Sequence, residues 1–176
     1  MKTFLPTLFL LSFFCIPKNA ISSNGINAQT SADSLRIIEL DQYWELLTTA
    51  VLNGDFETYS NGYHKDAVVI FAMGKNKTSM PISKALTSWK RLFIDTKNGK
   101  IQSEVQFRFS QRIGDESTAH ETGIFIYKNL DNNGKILEEY IIHFEMLLVK
   151  RNNKWLGLME YQKSEATKAE WDALQN

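Results

Sequence analysis

From Ile101 to Gln162 apolar and polar residues alternate in four stretches, roughly 101–112, 117–129, 136–150 and 154–162. Gly114-Asp115, Asp131-Asn132-Asn133-Gly134 and Asn152-Asn153 separate them, and these residues accept the left-handed backbone of tight hairpins. Four consecutive antiparallel strands are therefore expected. Such a sheet needs other elements to bury at least one of its faces.

Those elements precede it. Ile37, Leu40, Trp44, Leu47 and Val51 recur at intervals of three and four, which predicts a helix over 33–53 capped by Asp33 or Ser34. Asn53-Gly54 ends it, and Asp55 can cap a second, short helix to about Gly62. AVVIFAM (67–73) reads as a strand, and KNKTSM as a polar connection. Pro81 opens a helix carrying Ile82, Leu86, Trp89 and Phe93, stopped by Asn98-Gly99. Ser164 is expected to cap a final helical piece, EATKAEWDAL, whose Trp171 and Leu174 could dock. Helices followed by a strongly curved antiparallel sheet make an α+β plan.

The last hairpin carries the chemistry. If its turn sets the register, Lys150 pairs with Trp155, Glu145 faces Glu160, and His143 faces Gln162. Two opposed carboxylates repel unless a proton, a neighbouring histidine, a metal or water intervenes. Carrying parity through the turns puts Val105, Phe107, Phe109, His120, Thr122, Ile124, Ile141, His143, Glu145, Leu147, Leu156, Leu158, Glu160 and Gln162 on one face. Phe125, Tyr127, Tyr140, Ile142, Phe144, Met146, Met159 and Tyr161 fall on the other. A single bulge would move a strand's whole set across.

On this reading the first face is the floor of a small-molecule pocket: an apolar wall with convergent polar groups. His143 or His120 is the candidate base and Glu145 the candidate acid. Trp44, Tyr59, Phe71, Phe107, Phe109, Thr122, Glu160 and Gln162 are the candidate ligand contacts. Binding without catalysis, an isomerase, cyclase or hydratase, and a pure interaction module are the three functions compatible with this pattern. The aromatic, Met-rich second face reads as a homodimer surface on the outside of the sheet, or as the seat of the C-terminal helix. Two histidines and a carboxylate can bind iron or zinc, but no close-spaced ligand motif supports a metal, and no sequence motif calls for a cofactor.

Lys2 followed by FLPTLFLLSFFCIP reads as a signal peptide over 1–28, cleaved after Ala20 or Ala28, leaving one domain over 29–176. Export to the periplasm or the extracellular space is the expectation. Of 20 basic and 20 acidic residues, the segment takes Lys2 and Lys18, leaving 18 against 20 and a net charge of −2. With no basic block, nucleic acid and, after cleavage, membrane are not expected partners. The only cysteine, Cys15, leaves with the signal, so the fold rests on core packing.

The stretch LNGDFETYSNGYHKDAVVIFAMG (52–74), with Gly54-Asp55, Tyr63 and Asp66-Ala67-Val68, resembles the nuclear transport factor 2-like superfamily, which includes ketosteroid isomerases and SnoaL-like cyclases. The ending Trp155…Met159-Glu160-Tyr161-Gln162 is similar to exported members of that group. The resemblance covers about residues 35–162. It implies a cone-shaped curved sheet wrapped around N-terminal helices (a nuclear transport factor 2-like or cystatin-like fold), a pocket between sheet and helices, and frequent dimerisation. Aligned with the isomerases, Phe71 stands at their aspartate base and Leu47 at their oxyanion tyrosine, while Glu145 stands at their protonated oxyanion acid. The isomerase reaction is thus not expected, and Glu145 is implied to be a pocket acid of raised pKa.

Overall fold

The structure is a computed structural model describing residues 23–174, with side chains from residue 32. Most of the expected signal segment, residues 1–22, lies outside the described residues. The elements in order are α1 (Ser23–Asn53), α2 (Phe56–Ser60), β1 (Tyr63–Phe71), β2 (Thr78–Pro81), α3 (Ile82–Lys97), β3 (Gln102–Gly114), β4 (Thr118–Leu130), β5 (Ile136–Arg151), β6 (Lys154–Glu165) and α4 (Lys168–Ala173). The six strands form one sheet in the order β2-β1-β6-β5-β4-β3.

Three local expectations are corrected. α1 starts ten residues before Asp33, so neither Asp33 nor Ser34 is its cap. The polar connection contributes β2, which pairs with β1 from Val68↔Pro81 to Phe71↔Thr78. β6 runs past Ser164 to Glu165, and α4 is capped by Thr167, whose hydroxyl and Glu170 form a reciprocal capping box. The sheet is also mixed, because β1 joins β6 in parallel through Val69↔Glu160 and Phe71↔Gln162.

The helices cover one face of the sheet, here called inner. Leu40, Trp44, Leu47 and Val51 repeat at helical spacing on α1 and are buried, as are Ile82, Ala85 and Phe93 on α3. Gly54, with φ +64, lets the chain leave α1 where it abuts α3: a Cβ there would lie 2.5 Å from both the Phe93 carbonyl and the Lys97 amide. Asp55 caps α2, accepting from the Thr58 amide at 3.1 Å. Glu39 ties α1 to the last hairpin, accepting from Lys150 Nζ at 2.6 Å and Trp155 Nε1 at 2.9 Å.

The register of the long strands decides which side chains face the helices. Lys150 does pair with Trp155. Between Leu147↔Met159 and Leu148↔Gly157 the ladder then shifts by one, leaving Leu158 as the extra residue of a bulge. Glu160 therefore lies opposite Met146, Glu145 opposite Tyr161, and the two glutamates are on different faces. A second shift at Lys163 puts His143 opposite Ser164. A third, at Ser110, separates Phe109↔Gly123 from Gln111↔Thr122 and turns Arg112 towards α1.

The expected faces are accordingly exchanged for β4 and β5, whereas Val105, Phe107, Phe109, Glu160 and Gln162 stay on the pocket side. Phe125, Ile142, Phe144 and Met146, read as a dimer surface, lie beneath the helices together with Val105, Phe107 and Phe109. The outer face carries His120, Thr122, Ile124, Ile126, Ile141, His143, Glu145 and Leu147. α4 folds across part of this outer face, where Trp171 buries itself among Ile124, Ile126 and Ile141. Arg108 lies over the Trp171 ring at 4.4 Å and donates to the Trp171 carbonyl at 2.9 Å.

Candidate functional site

Between the inner sheet face and the three N-terminal helices lies a cavity of about 360 Å³. It exists because the sheet curves away from helices that present large flat rings. Trp44, Leu47 and Val51 come from α1, Tyr59 from α2, Trp89 and Phe93 from α3, and Phe71 from β1. Val105, Phe107, Phe125, Ile142, Phe144 and Met146 form the sheet side. Aromatic rings meet edge to face or tilted around it, Trp44 with Phe107 at 4.5 Å and Phe71 with Trp89 at 6.4 Å. Tyr140, 46% exposed, and the exposed Glu138 mark the opening.

One end of the lining is polar. Glu160 of β6, 9% exposed, accepts from Tyr63 Oη at 2.5 Å and from Gln162 Nε2 at 2.7 Å. Tyr59 Oη lies 3.3 Å from Tyr63 Oη, extending the chain of hydroxyls to α2. Burial pushes the Glu160 carboxyl above the ordinary glutamate value, although the bonds from Tyr63 and Gln162 pull the other way. Burial also raises Tyr59 and Tyr63, both of which stay neutral phenols and serve as donors. At the opening, Asn129 Nδ2 donates to Glu138 at 3.1 Å, and Tyr127 Oη donates to Asn129 at 2.9 Å.

The residues expected to form a site divide by face. Trp44, Tyr59, Phe71, Phe107, Glu160 and Gln162 line the cavity. Phe109 is on the same face but beyond the cavity, packed on Trp44 and Phe144 and covered by Arg112 at 4.5 Å. His120, Thr122, His143 and Glu145 are on the outer face, so the expected His/Glu floor is corrected. His120 Nε2 is 3.2 Å from Glu145, Lys163 Nζ is 2.6 Å from it, and His143 pairs with Glu170 of α4 at 3.4 Å. Thr122 shares a hydroxyl contact of 2.9 Å with Ser110. Lys163 first, then His120, holds the Glu145 carboxyl below its ordinary value, the reverse of the implied pocket acid. Among the described residues no group of three or more His, Cys, Asp or Glu side chains is placed to hold a metal.

Parity counting did not select Tyr63, Trp89, Phe125, Tyr127, Glu138 or Phe144 as site residues. The signal for the missing shift was Gly157. A Cβ there would lie 2.8 Å from Met146, 3.1 Å from Tyr63 and 3.2 Å from Tyr43, so the strand approaches other side chains closely at the residue before the bulge.

A further buried group braces the cavity wall. Glu121, 0% exposed, accepts from Trp44 Nε1 at 2.5 Å and from Arg112 Nε at 2.5 Å. Arg112 also reaches Asp41 of α1 at 2.5 Å. Trp44 thus lines the cavity with its ring while its nitrogen is held from behind.

No protein-family model matches the sequence, and no curated protein matches it. Solved structures do. An NTF-2-like protein of unknown function from Shewanella oneidensis superposes with a TM-score of 0.57 at 16% identity, covering 74% of this chain and 99% of that one. ActVI-ORFA from Streptomyces coelicolor matches with a TM-score of 0.55 at 13% identity, over 71% and 93%. A Catenulispora acidiphila protein in complex with S-DNPA matches with a TM-score of 0.54 at 13% identity, over 74% and 93%. The chain has the nuclear transport factor 2-like fold.

Proposed function

We propose that this chain is a small-molecule-binding domain whose ligand places an apolar body among the rings of the cavity and a polar atom beside Glu160 and Tyr63. The observation that carries the reading is the lining itself: aromatic rings from α1, α2, α3, β1, β3, β4 and β5, with a buried carboxyl from β6 at one end. The Catenulispora acidiphila structure supports it, since a protein of the same fold is in complex with a small molecule there. Both Glu160 oxygens accept from protein side chains, and His120 and His143 lie on the outer face, so binding is better supported than isomerase, cyclase or hydratase chemistry.

The test is fluorescence titration with the neutral apolar dye N-phenyl-1-naphthylamine. Binding is expected for the native protein and is expected to be lost in Ile142→Trp or Val105→Phe, which fill the cavity. A folded variant, checked by circular dichroism, that binds the dye as the native protein does would place the dye elsewhere and overturn the reading.

Export is proposed with it. Cleavage after Ala20 would leave α1 whole, whereas cleavage after Ala28 would cut it, and the intact mass of the secreted protein distinguishes the two. A homodimer through the outer face would use the part that α4 leaves open, around Ile113 (50% exposed) and Leu147. Sedimentation at rising concentration checks it, and a monomer throughout would refute it.

A further inference from the structure

The cavity is charged in one sense only. Among the described residues its lining includes Glu160 at the inner end and Glu138 at the opening, and no lysine, arginine or histidine. Three other carboxylates shielded from solvent do have a cation: Glu39 has Lys150 at 2.6 Å, the fully buried Glu121 has Arg112 at 2.5 Å and Glu145 has Lys163 at 2.6 Å. Glu160 has none among the described residues. Its partners are the neutral donors Tyr63 and Gln162, and Tyr59 and Tyr43, which also feel its charge, are phenols that burial keeps neutral. Glu138 is likewise bonded to the neutral amide of Asn129.

A buried carboxylate without a counter-charge is costly to keep ionised. A ligand cation removes that cost. The walls suit the same charge, because the rings of Tyr59, Phe71, Trp89, Phe107 and Phe125 line the space and an aromatic ring attracts a cation placed over its face. An anionic ligand would meet two carboxylates and no compensating donor of positive charge.

Resting on the binding reading above, we infer that the ligand of this cavity is an amphiphilic organic cation, an apolar or aromatic body bearing an ammonium group that pairs with Glu160. Glu138 at the opening is the second acidic group it passes on entry. A volume of about 360 Å³ accommodates a bicyclic ring system with a short amine-bearing arm.

The experiment compares three compounds sharing one body: 1-naphthylmethylamine, 1-naphthylmethanol and 1-naphthoate, each titrated calorimetrically into the protein at neutral pH. The amine is expected to bind about tenfold tighter than the alcohol, the gain of a hydrogen bond to a charged partner, with 1-naphthoate the weakest. In Glu160→Gln the amine-to-alcohol ratio is expected to fall towards one. An alcohol that binds as tightly as the amine, or a ratio unchanged in Glu160→Gln, overturns the inference and leaves the pocket reading standing. Failure of both amine and alcohol to bind overturns the pocket reading and the inference with it. The ratio in the native protein decides the question even where the variant does not fold.

Discussion

Replacing Glu121 with leucine removes a fully buried carboxylate that joins the cavity wall to the sheet. Its two bonds, 2.5 Å to Trp44 Nε1 and 2.5 Å to Arg112 Nε, are both lost. Leaving one member of a buried ion pair alone costs about 3–5 kcal/mol. Arg112 keeps Asp41 at 2.5 Å, on a more exposed edge, which brings the expectation to the lower end, about 3 kcal/mol. Arg112→Met strands Glu121 with Trp44 as its remaining donor and should cost a similar amount. The double variant, Glu121→Leu with Arg112→Met, replaces the pair by apolar volume. It should be destabilised by far less than the sum, with a coupling energy of about 2–3 kcal/mol. Urea unfolding followed by tryptophan fluorescence gives all four corners of the cycle. Additive losses, or a single Glu121→Leu loss below about 1 kcal/mol, would refute the claim that the bulge at Ser110 turns Arg112 inward to brace Trp44.

Other perturbations test separate joints. Gly157→Ala should destabilise by about 1–3 kcal/mol, because the added methyl meets Met146 at 2.8 Å and Tyr63 at 3.1 Å; chemical denaturation measures it, and a neutral result would contradict the close approach. Burial raises the folded-state pKa of Glu160 above its ordinary value of 4.5, so the folded protein holds that proton to higher pH than the unfolded chain does. The stabilising contribution is then full below 4.5 and lost as pH rises through the folded pKa. Glu160→Gln should remove that decline and raise the melting temperature at neutral pH relative to the native protein, as thermal unfolding across weakly acidic to neutral buffers would show. Trp171→Ala should cost about 2–4 kcal/mol, at or below the usual range for a buried tryptophan, since α4 can detach as a unit; hydrogen exchange should then rise in α4 and at Ile124 and Ile126, and unchanged protection would contradict its docking there.

The fold was legible because its largest signals are redundant. Alternation through β3 to β6, three hairpin turns and two apolar helical stripes all point to helices packed on an antiparallel sheet. The left-handed Asn152 and Asn153, φ 51 and 59, form the turn their identities called for. β2 was missed because TSMP has too few apolar residues to alternate, and its pairing is dictated by β1 beside it.

The site was half legible, for a physical reason. Strand parity has no memory of absolute face, so each bulge inverts everything beyond it. The shift at Leu158 carried Glu160 and Gln162 to the inner face, and the one at Ser110 separated Phe107 and Phe109 from His120. Aromatic content then misled, since Phe125, Phe144 and Met146 looked too apolar to meet water, read as a partner surface or the seat of the C-terminal helix, and are in fact the wall beneath the helices. His120 and Glu145 remain neighbours, as cross-strand proximity required, but on the opposite side of the sheet.

The central claim is that the inner face, and not the His-bearing outer face, holds a ligand. Methyl-labelled isoleucine NMR tests it directly. Ile142 lines the cavity, whereas Ile124, Ile126 and Ile141 lie on the outer face against α4. Titration with 1-naphthylmethylamine should shift the Ile142 methyl resonances and leave those of Ile124, Ile126 and Ile141 in place. Shifts confined to the outer-face isoleucines, with Ile142 unmoved, would contradict the account.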